Sequence, residues 1–235
     1  METINKTKDK YIFKTEIEDS LINSIRRYVG QIQLAAIDEV EIIKNDSPLY
    51  DETLAHRLGL VPLKQSSKKE GKLKLSSQEK GMVYSGSLKG DFEVVYDKIP
   101  LTILSAGQEI ELIANVKIGK GQEHAKFSPG ILNYREVSEI HMDKEIAEKL
   151  KNSNPNIEIK QKGDKYIAID DKEEEITDLC EGFAEKYRKK IEVKTNKEMI
   201  IALESFGQID AKSIFTKSIE ALKKDLAEVS KKLSK

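Results

Sequence analysis

The sequence contains a single cysteine among 235 residues, which excludes an internal disulfide framework and suits a reducing compartment. It also lacks any apolar run near the ~18 residues that a membrane-spanning helix needs, and its polar N-terminus shows no signal-type segment. Neither charge sign dominates, since 40 basic and 41 acidic residues give a formal net charge of −1. Proteins that grip phosphates usually carry a basic excess. We therefore expect a soluble cytoplasmic protein that contacts neither membrane nor nucleic acid directly.

Recognisable catalytic and metal-binding patterns are missing as well. No Ser/His/Asp or Cys/His set has supporting context, and the paired carboxylates lie in charged sequence with no sign of a desolvated pocket. Glu52 and His56 have the four-residue spacing of many metal-ligand pairs, but no second His or Cys with zinc spacing lies nearby. A side-chain interaction on a helix surface is the favoured interpretation. We expect no metal, no cofactor and no catalysis by this chain alone.

The most informative stretch that is present spans residues 51–63, DETLAHRLGLVPL. It predicts a short helix with Ser47 as N-cap and Pro48 at the first helical position. Leu54 and Leu58 are predicted to face a core together. The first turn and the polar ridge beside those leucines contain Asp51, Glu52, His56 and Arg57.

The C-terminal segment shows a heptad pattern, in which apolar residues recur at spacings of four and three. The pattern predicts a helix that begins near Asp210 and reaches toward residue 234. Its apolar seam consists of Phe215, Ile219, Leu222, Leu226, Val229 and Leu233. Because such a seam would be exposed to water unless another surface covered it, the sequence predicts an association surface.

The remaining segments predict a β-rich chain with short helices. A strand at 11–18, a helix from Asp19 to about Gly30 and a strand at 34–43 are predicted first. Residues 64–81, rich in Lys, Ser and Gly, are predicted to form a long exposed loop. Short strands are predicted between 82 and 142, and the last elements before the seam are an acidic helix near 172–188 and two strands near 191–194 and 198–204.

Five segments together resemble the archaeal RNA polymerase D-subunit family, the counterpart of the eukaryotic third-largest subunit and of the bacterial alpha N-terminal region. In chain order they are NSIRR at 23–27, AIDEVEI at 36–42, the run at 51–63, GQEHAKFSP at 121–129 and LESFG at 203–207. The resemblance implies an α+β fold with a discontinuous alpha-like dimerisation domain, residues 1–43 and 191–235. It further implies an inserted β-rich domain at 44–151 and a degenerate ferredoxin-like segment at 152–190.

The ferredoxin-like segment of some family members carries four cysteines spaced C-x-x-C-x-x-C-x-x-x-C, which can ligate an iron–sulfur cluster. If Cys180 matches the second of these cysteines, the other three positions hold Thr177, Phe183 and Tyr187. One thiolate cannot hold such a cluster. The resemblance therefore implies a segment that keeps some of the fold without the cofactor.

The resemblance also implies an architectural role in a DNA-directed RNA polymerase, the multisubunit nucleotidyltransferase of transcription. The implied partners are the small subunits L, N and P and the second-largest subunit, which Arg26 and Arg27 would face. The candidate interface residues are Arg26, Arg27, Asp51, Glu52, His56, Arg57, Phe215, Ile219, Leu222, Leu226 and Val229. Two alternatives stay open: a coiled-coil adaptor outside transcription, and a redox or electron-carrier module, which the missing cysteines disfavour.

Overall fold

The computed structural model describes residues 1–233 and shows a mixed α and β architecture that is rich in sheet. The strands of the described residues are β1 (Glu2–Lys6), β2 (Lys10–Glu16), β3 (Gln33–Asn45), β4 (Glu70–Ser77), β5 (Gly81–Tyr84), β6 (Lys89–Gly90), β7 (Pro100–Leu104), β8 (Ile110–Lys120), β9 (Gly130–Met142), β10 (Ile159–Lys162), β11 (Lys165–Asp170) and β12 (Glu192–Ser205). The helices are α1 (Asp19–Tyr28), α2 (Asp51–Gly59), α3 (Lys144–Ser153), α4 (Thr177–Lys186) and α5 (Ala211–Leu233). None of these helices is long and apolar enough to cross a membrane.

Contacts divide the chain into two compact units, each of which combines an early and a late part of the sequence. The first unit contains Met1–Asn23 and Leu132–Leu203, and the second contains Ser24–Ile131 and the residues from Glu204 onward. The predicted dimerisation domain, residues 1–43 and 191–235, is defined by its role in binding a partner and not by contacts within the chain. It therefore stays a prediction.

The first unit is built on a six-stranded sheet whose strand order is β1-β2-β12-β9-β11-β10. Helices α3 and α4 pack onto β9 and β11, because Ile140 and Ala168 of the strands share a buried cluster with Ile146 and Leu150 of α3. Cys180 of α4 completes this cluster and is fully buried. A smaller cluster contains Ile12, Val137 and Ile200.

The second unit is built on a four-stranded sheet with the order β3-β8-β4-β6 and on the separate strand pair β5–β7. Helix α2 packs on this part of the chain through Leu54 and Leu58, which are fully buried in its main apolar cluster. The prediction that these two leucines face a core together is confirmed. The sheet contributes alternate residues such as Leu73 and Leu75 of β4 and Leu112 of β8 to the same cluster, as expected for a half-buried strand.

Two predicted segments are wrong in their secondary structure. The long loop predicted at 64–81 contains β4, because Leu73 and Leu75 alternate with lysines that face solvent, and the polar composition concealed this period of two. The two strands predicted near 191–194 and 198–204 are the single strand β12, which runs through an exposed polar stretch at residues 194–197.

Two predicted helix starts also differ from the structure. Helix α2 begins at Asp51 rather than at Pro48, and Tyr50 before it is extended. Ser47 instead donates its backbone N–H and its hydroxyl to the Asn45 side-chain oxygen, at 3.1 and 2.6 Å. Helix α4 begins at Thr177 rather than near residue 172. At this start, the Asp170 carboxylate accepts the backbone N–H groups of Ile176 and Thr177, both at 3.1 Å.

The C-terminal helix α5 confirms the predicted helix from near Asp210. The Asp210 carboxylate accepts the backbone N–H of Ser213 at 3.0 Å, as an N-cap does. The predicted extension toward residue 234 lies outside the described residues beyond Leu233.

Candidate assembly interface

The five family segments meet in the second unit, although more than 170 positions separate the first from the last. Apart from Asn23 and Leu203, which lie at the border of the first unit, every residue of the five segments belongs to the second unit. Backbone hydrogen bonds connect the fourth segment to the fifth and to Gly30, three positions after the first segment. Gln122 donates its N–H to the Gly30 carbonyl at 3.0 Å, and Phe206 donates its N–H to the Pro129 carbonyl at 2.9 Å.

Asp38 connects the second and fourth segments through its side chain. It lies at a β-bulge in β3, where the register with β8 shifts between Ile37 and Glu39. The Asp38 carboxylate pairs with Lys126 at 2.5 Å and with Lys117 at 2.6 Å. These two lysines, as hydrogen-bond donors, lower the Asp38 pKa below its ordinary value. A β-bulge that redirects a side chain in this way is a structural feature of the strand and not a defect.

The third, fourth and fifth segments line one groove with a volume of about 460 Å³, here called the motif groove. Its lining comprises Leu60, Pro62, Tyr96, Ile99, Ala125, Lys126, Ser128, Ser205, Phe206 and Gln208. Three large apolar side chains at the groove are substantially exposed: Leu60 at 53%, Tyr96 at 45% and Phe206 at 40%. Such a concentration of exposed apolar side chains is typical of a surface that another protein covers.

Gly207, which ends the fifth segment, is required where it stands. Its φ of +98° lies in the region that residues with a side chain rarely adopt. A Cβ at this position would lie 2.5 Å from the Tyr96 hydroxyl oxygen and 2.8 Å from the Val95 Cγ1 atom. The LESFG segment therefore ends in glycine because the chain turns tightly against the wall of the motif groove.

The predicted arginine pair lies on a second groove, of about 530 Å³, here called the arginine groove. Arg26 and Arg27 are exposed, and both line this groove together with Gln122 and with Leu222 from α5. The structure thus brings the arginine pair next to one residue of the heptad seam. Both charged side chains of the lining are guanidinium groups, which suit carboxylates because they bind them in a bidentate manner.

The heptad seam is covered unevenly along α5. Its N-terminal residues Phe215, Ile219 and Leu222 are partly buried. Leu226 is 59% exposed and Val229 is 53% exposed. The chain therefore covers part of the first half of the seam itself, and the apolar residues of the second half face solvent.

The polar residues of α2 are all on the surface, as predicted for a ridge beside the buried leucines. Asp51, Glu52, His56 and Arg57 are exposed, and Arg57 donates from its Nη1 atom to the Leu101 carbonyl at 3.2 Å. In the described part of the chain, these four residues line neither groove. Among residues 1–233, no group of three or more His, Cys, Asp or Glu side chains is arranged to hold a metal ion.

The four positions that match the cluster-ligand pattern form ordinary packing and hydrogen bonds in the first unit. Burial raises the pKa of the Cys180 thiol to about 11, so it is protonated at neutral pH. Phe183 and Tyr187 pack against the same apolar cluster, with ring centroids 6.2 Å apart. The Thr177 hydroxyl donates to the Asp170 carboxylate at 2.7 Å. Helix α4 is thus fixed by a hydrophobic core and a buried carboxylate.

Several residues of these sites carried too little sequence signal to be singled out. Leu60 and Phe206 lie in the family segments, but a single apolar residue in a motif does not reveal whether it is buried. Tyr96 lies outside every segment. Asp38 and Lys126 belong to two segments that are far apart in sequence, and only the fold shows that they pair.

Comparison with known proteins identifies the family. The profile described as the RNA polymerase Rpb3/RpoA insert domain matches residues 21–134. The DNA-directed RNA polymerase subunit Rpo3 of Pyrococcus horikoshii is 35% identical over 159 residues, which cover 61% of each chain. The Rpo3 subunit of Methanocaldococcus jannaschii is 35% identical over 140 residues, or 57% of this chain and 73% of the relative. The chain belongs to the Rpo3 family of DNA-directed RNA polymerase subunits.

Rpo3 relatives also match over nearly the whole chain at lower identity. The subunit of Pyrobaculum calidifontis is 29% identical over 245 aligned positions, which cover 92% of this chain and 90% of the relative. The match to the Pyrococcus horikoshii subunit spans about three fifths of that relative's length. The predicted membership in an RNA polymerase subunit family is confirmed at the level of the Rpo3 family. The comparisons give no support to an adaptor outside transcription or to a redox module.

Proposed function

We propose that the chain is an architectural assembly protein of a multisubunit DNA-directed RNA polymerase, in the role of the D-type component of the archaeal enzyme. It forms a heterodimeric platform with the small L component, contacts the small N and P components, and docks the second-largest subunit. The polymerisation chemistry belongs to the large subunits. Rpo3 family membership supports the polymerase assignment.

The observation that carries this proposal is the convergence of the five family segments in the second unit, beside surfaces that a partner can cover. The motif groove exposes Leu60, Tyr96 and Phe206, and α5 exposes Leu226 and Val229. Burial of apolar surface stabilises association by ~25 cal/mol per Å², before the cost of ordering the partners is subtracted. Burial of these exposed apolar side chains would therefore favour association with other proteins.

Within the proposal, the seam of α5 is the dimerisation surface and the arginine pair faces the second-largest subunit. The exposed second half of the seam supports the first assignment, because it requires no rearrangement of the chain before a partner helix can pack on it. The lining of the arginine groove supports the second, because its charged side chains are Arg26 and Arg27. The polar ridge of α2 is a further proposed contact.

The proposal includes the discontinuous dimerisation domain of residues 1–43 and 191–235 and the degenerate ferredoxin-like segment of residues 152–190. The packing of α3 and α4 on β9 and β11 supports a segment that is stable without a cluster. Cys180 and the aromatic side chains of Phe183 and Tyr187 contribute to that packing.

Co-expression of the full chain with the small partner subunit tests the proposal. Size-exclusion chromatography with light scattering is expected to show a stable one-to-one heterodimer. Two separate species at micromolar concentration would contradict the proposed platform.

A further inference from the structure

The second half of α5 carries an apolar stripe that the rest of residues 1–233 leaves largely open. Leu226, Val229 and Leu233 follow one another at spacings of three and four, and they are 59%, 53% and 82% exposed. Helical residues at these spacings lie on the same face, so the three side chains form one continuous stripe. A stripe of this width is the surface on which a second helix packs in a coiled coil. The shape of the surface therefore suits a helix as its occupant.

Four positions border the stripe and are here called the flank: Lys223, Asp225, Ser230 and Lys232. Each of them lies directly before or after a seam residue. In a packed helix pair, side chains at such positions meet those of the partner helix, and their charges set the choice of partner. Lys223 and Lys232 are exposed, and within residues 1–233 neither lysine forms an ion pair. Both ammonium groups can therefore meet an incoming helix.

The acidic residue of the flank already has a partner within the chain. The Asp225 carboxylate accepts the Tyr28 hydroxyl at 3.0 Å, which draws it toward the end of α1. The arginine groove beside Leu222 adds no compensating acid, since the charged residues of its described lining are Arg26 and Arg27. Two lysines against one engaged carboxylate leave the flank with a net positive charge.

We propose that the exposed half of the seam selects a partner helix whose own flanking positions carry carboxylates. The apolar stripe supplies the contact area, and Lys223 and Lys232 supply the discrimination, because opposite charges across a helix pair favour association and like charges oppose it. A second copy of this chain presents the same lysines, so the flank disfavours self-association. In the proposed dimerisation role of α5, on which this inference rests, the small partner subunit contributes the acidic helix.

The test is fluorescence anisotropy of the full chain with two designed heptad peptides that share one leucine seam. One peptide carries Glu at every flanking position, and the other carries Lys. We expect the Glu peptide to bind at least about tenfold more tightly at low salt, and we expect added salt to shrink the preference because it screens exposed charges. Equal binding of the two peptides, or a preference for the Lys peptide, would overturn the proposal.

Charge-reversed variants show whether the preference comes from the flank. Lys223→Glu with Lys232→Glu is expected to abolish the preference for the Glu peptide. The control is Lys224→Glu with Lys231→Glu, which makes the same change in net charge at exposed positions of α5 outside the flank and is expected to keep most of the preference. A preference that survived in the flank variant, or that fell equally in both variants, would contradict the proposal.

A second copy as the occupant is tested by analytical ultracentrifugation of the full chain alone. We expect a monomer at micromolar concentration, because the flanks of two copies carry the same net charge. A dimer that is dissociated by Leu226→Ala with Val229→Ala would show that a second copy covers the seam, and it would overturn the proposal.

The co-expressed heterodimer separates charge selection from the platform itself. The flank variant is expected to raise the dissociation constant about tenfold, because a weak exposed ion pair at each lysine becomes a like-charge pair, whereas the control variant should change it less than about twofold. Equal dissociation constants for the two variants would overturn the acidic-helix proposal and leave the platform intact. Failure of the parent chain to form the heterodimer would contradict the platform, and the peptide preference would still decide the charge selection.

Discussion

The Tyr28 hydroxyl donates a hydrogen bond to the Asp225 carboxylate at 3.0 Å and so connects the last residue of α1 to the middle of α5. The two residues are 197 positions apart, and both belong to the second unit. The bond lies beside the arginine groove, of which Tyr28 is a lining residue. It thus holds α5 where Leu222 can lie next to the arginine pair.

Tyr28→Phe is expected to lower the free energy of unfolding by about 0.5–1 kcal/mol, the low end for a hydrogen bond because this one is exposed. The hydrogen bond to Asp225 raises the Tyr28 pKa above its ordinary value. The bond therefore contributes fully below the unfolded-state pKa and is lost as pH rises through the folded-state pKa. Urea unfolding of parent and variant at neutral and alkaline pH measures this. A difference between parent and variant that is the same at both pH values would contradict the role of the hydroxyl proton.

Asp38→Asn is expected to lower the free energy of unfolding by about 1–3 kcal/mol, because it leaves the largely buried Lys126 ammonium without its ion pair. The lysines lower the Asp38 pKa, so its contribution is present above the unfolded-state pKa and is lost as pH falls through the folded-state pKa, below about pH 4. Urea unfolding over this pH range measures the loss. Glu93→Gln removes an exposed pair with Lys64 and is the control, expected to change little. Equal effects of the two variants would show that burial at Asp38 is unimportant.

The Cys180 thiol is expected to react slowly with thiol reagents at neutral pH, because its pKa is about 11 and the side chain is fully buried. Reaction should become fast when the chain is unfolded in urea, which serves as the internal control. After anaerobic reconstitution the chain is expected to bind no iron and to show no absorption near 400 nm. Stoichiometric iron and sulfide in the reconstituted chain would contradict the proposal that this segment holds no cluster.

Leu226→Ala combined with Val229→Ala is expected to weaken the heterodimer at least about tenfold, since truncation of interface anchors costs more than ~1 kcal/mol each. Both residues are exposed in the chain alone, so its own thermal unfolding should hardly change. Lys224→Ala with Lys231→Ala, on the same helix outside the seam, is the control. Analytical ultracentrifugation of the co-expressed pair gives the dissociation constants. If the two double variants bound the small partner with equal affinity, the seam would not be part of the interface.

Local periodicity made part of the fold predictable. The spacing of Leu54 and Leu58 predicted their shared buried face, and the heptads predicted α5. Local sequence could not show that Phe215 packs partly within its own chain whereas Leu226 is exposed, because both satisfy the same spacing. Long-range geometry decides that difference.

Side-chain partnerships were less predictable than elements. The bulge at Asp38 breaks the period of two on which the strand prediction relies, so the pairing with Lys126 had no local signal. Strand β4 was concealed by its lysines and serines, although Leu73 and Leu75 alternate correctly. The resemblance pointed to the five segments, and the fold shows which side chains of those segments meet.

Affinity purification of the tagged chain from cells that contain the whole polymerase tests the central claim most directly. The parent chain is expected to recover the small partner subunit and both largest polymerase subunits. Arg26→Glu with Arg27→Glu should keep the small partner but lose most of the second-largest subunit, because removal of one side of an interface charge pair typically costs ~2–5 kcal/mol. Failure of the parent chain to recover the largest subunits would contradict the assembly role, and full recovery by the double variant would contradict the docking role of the arginine pair.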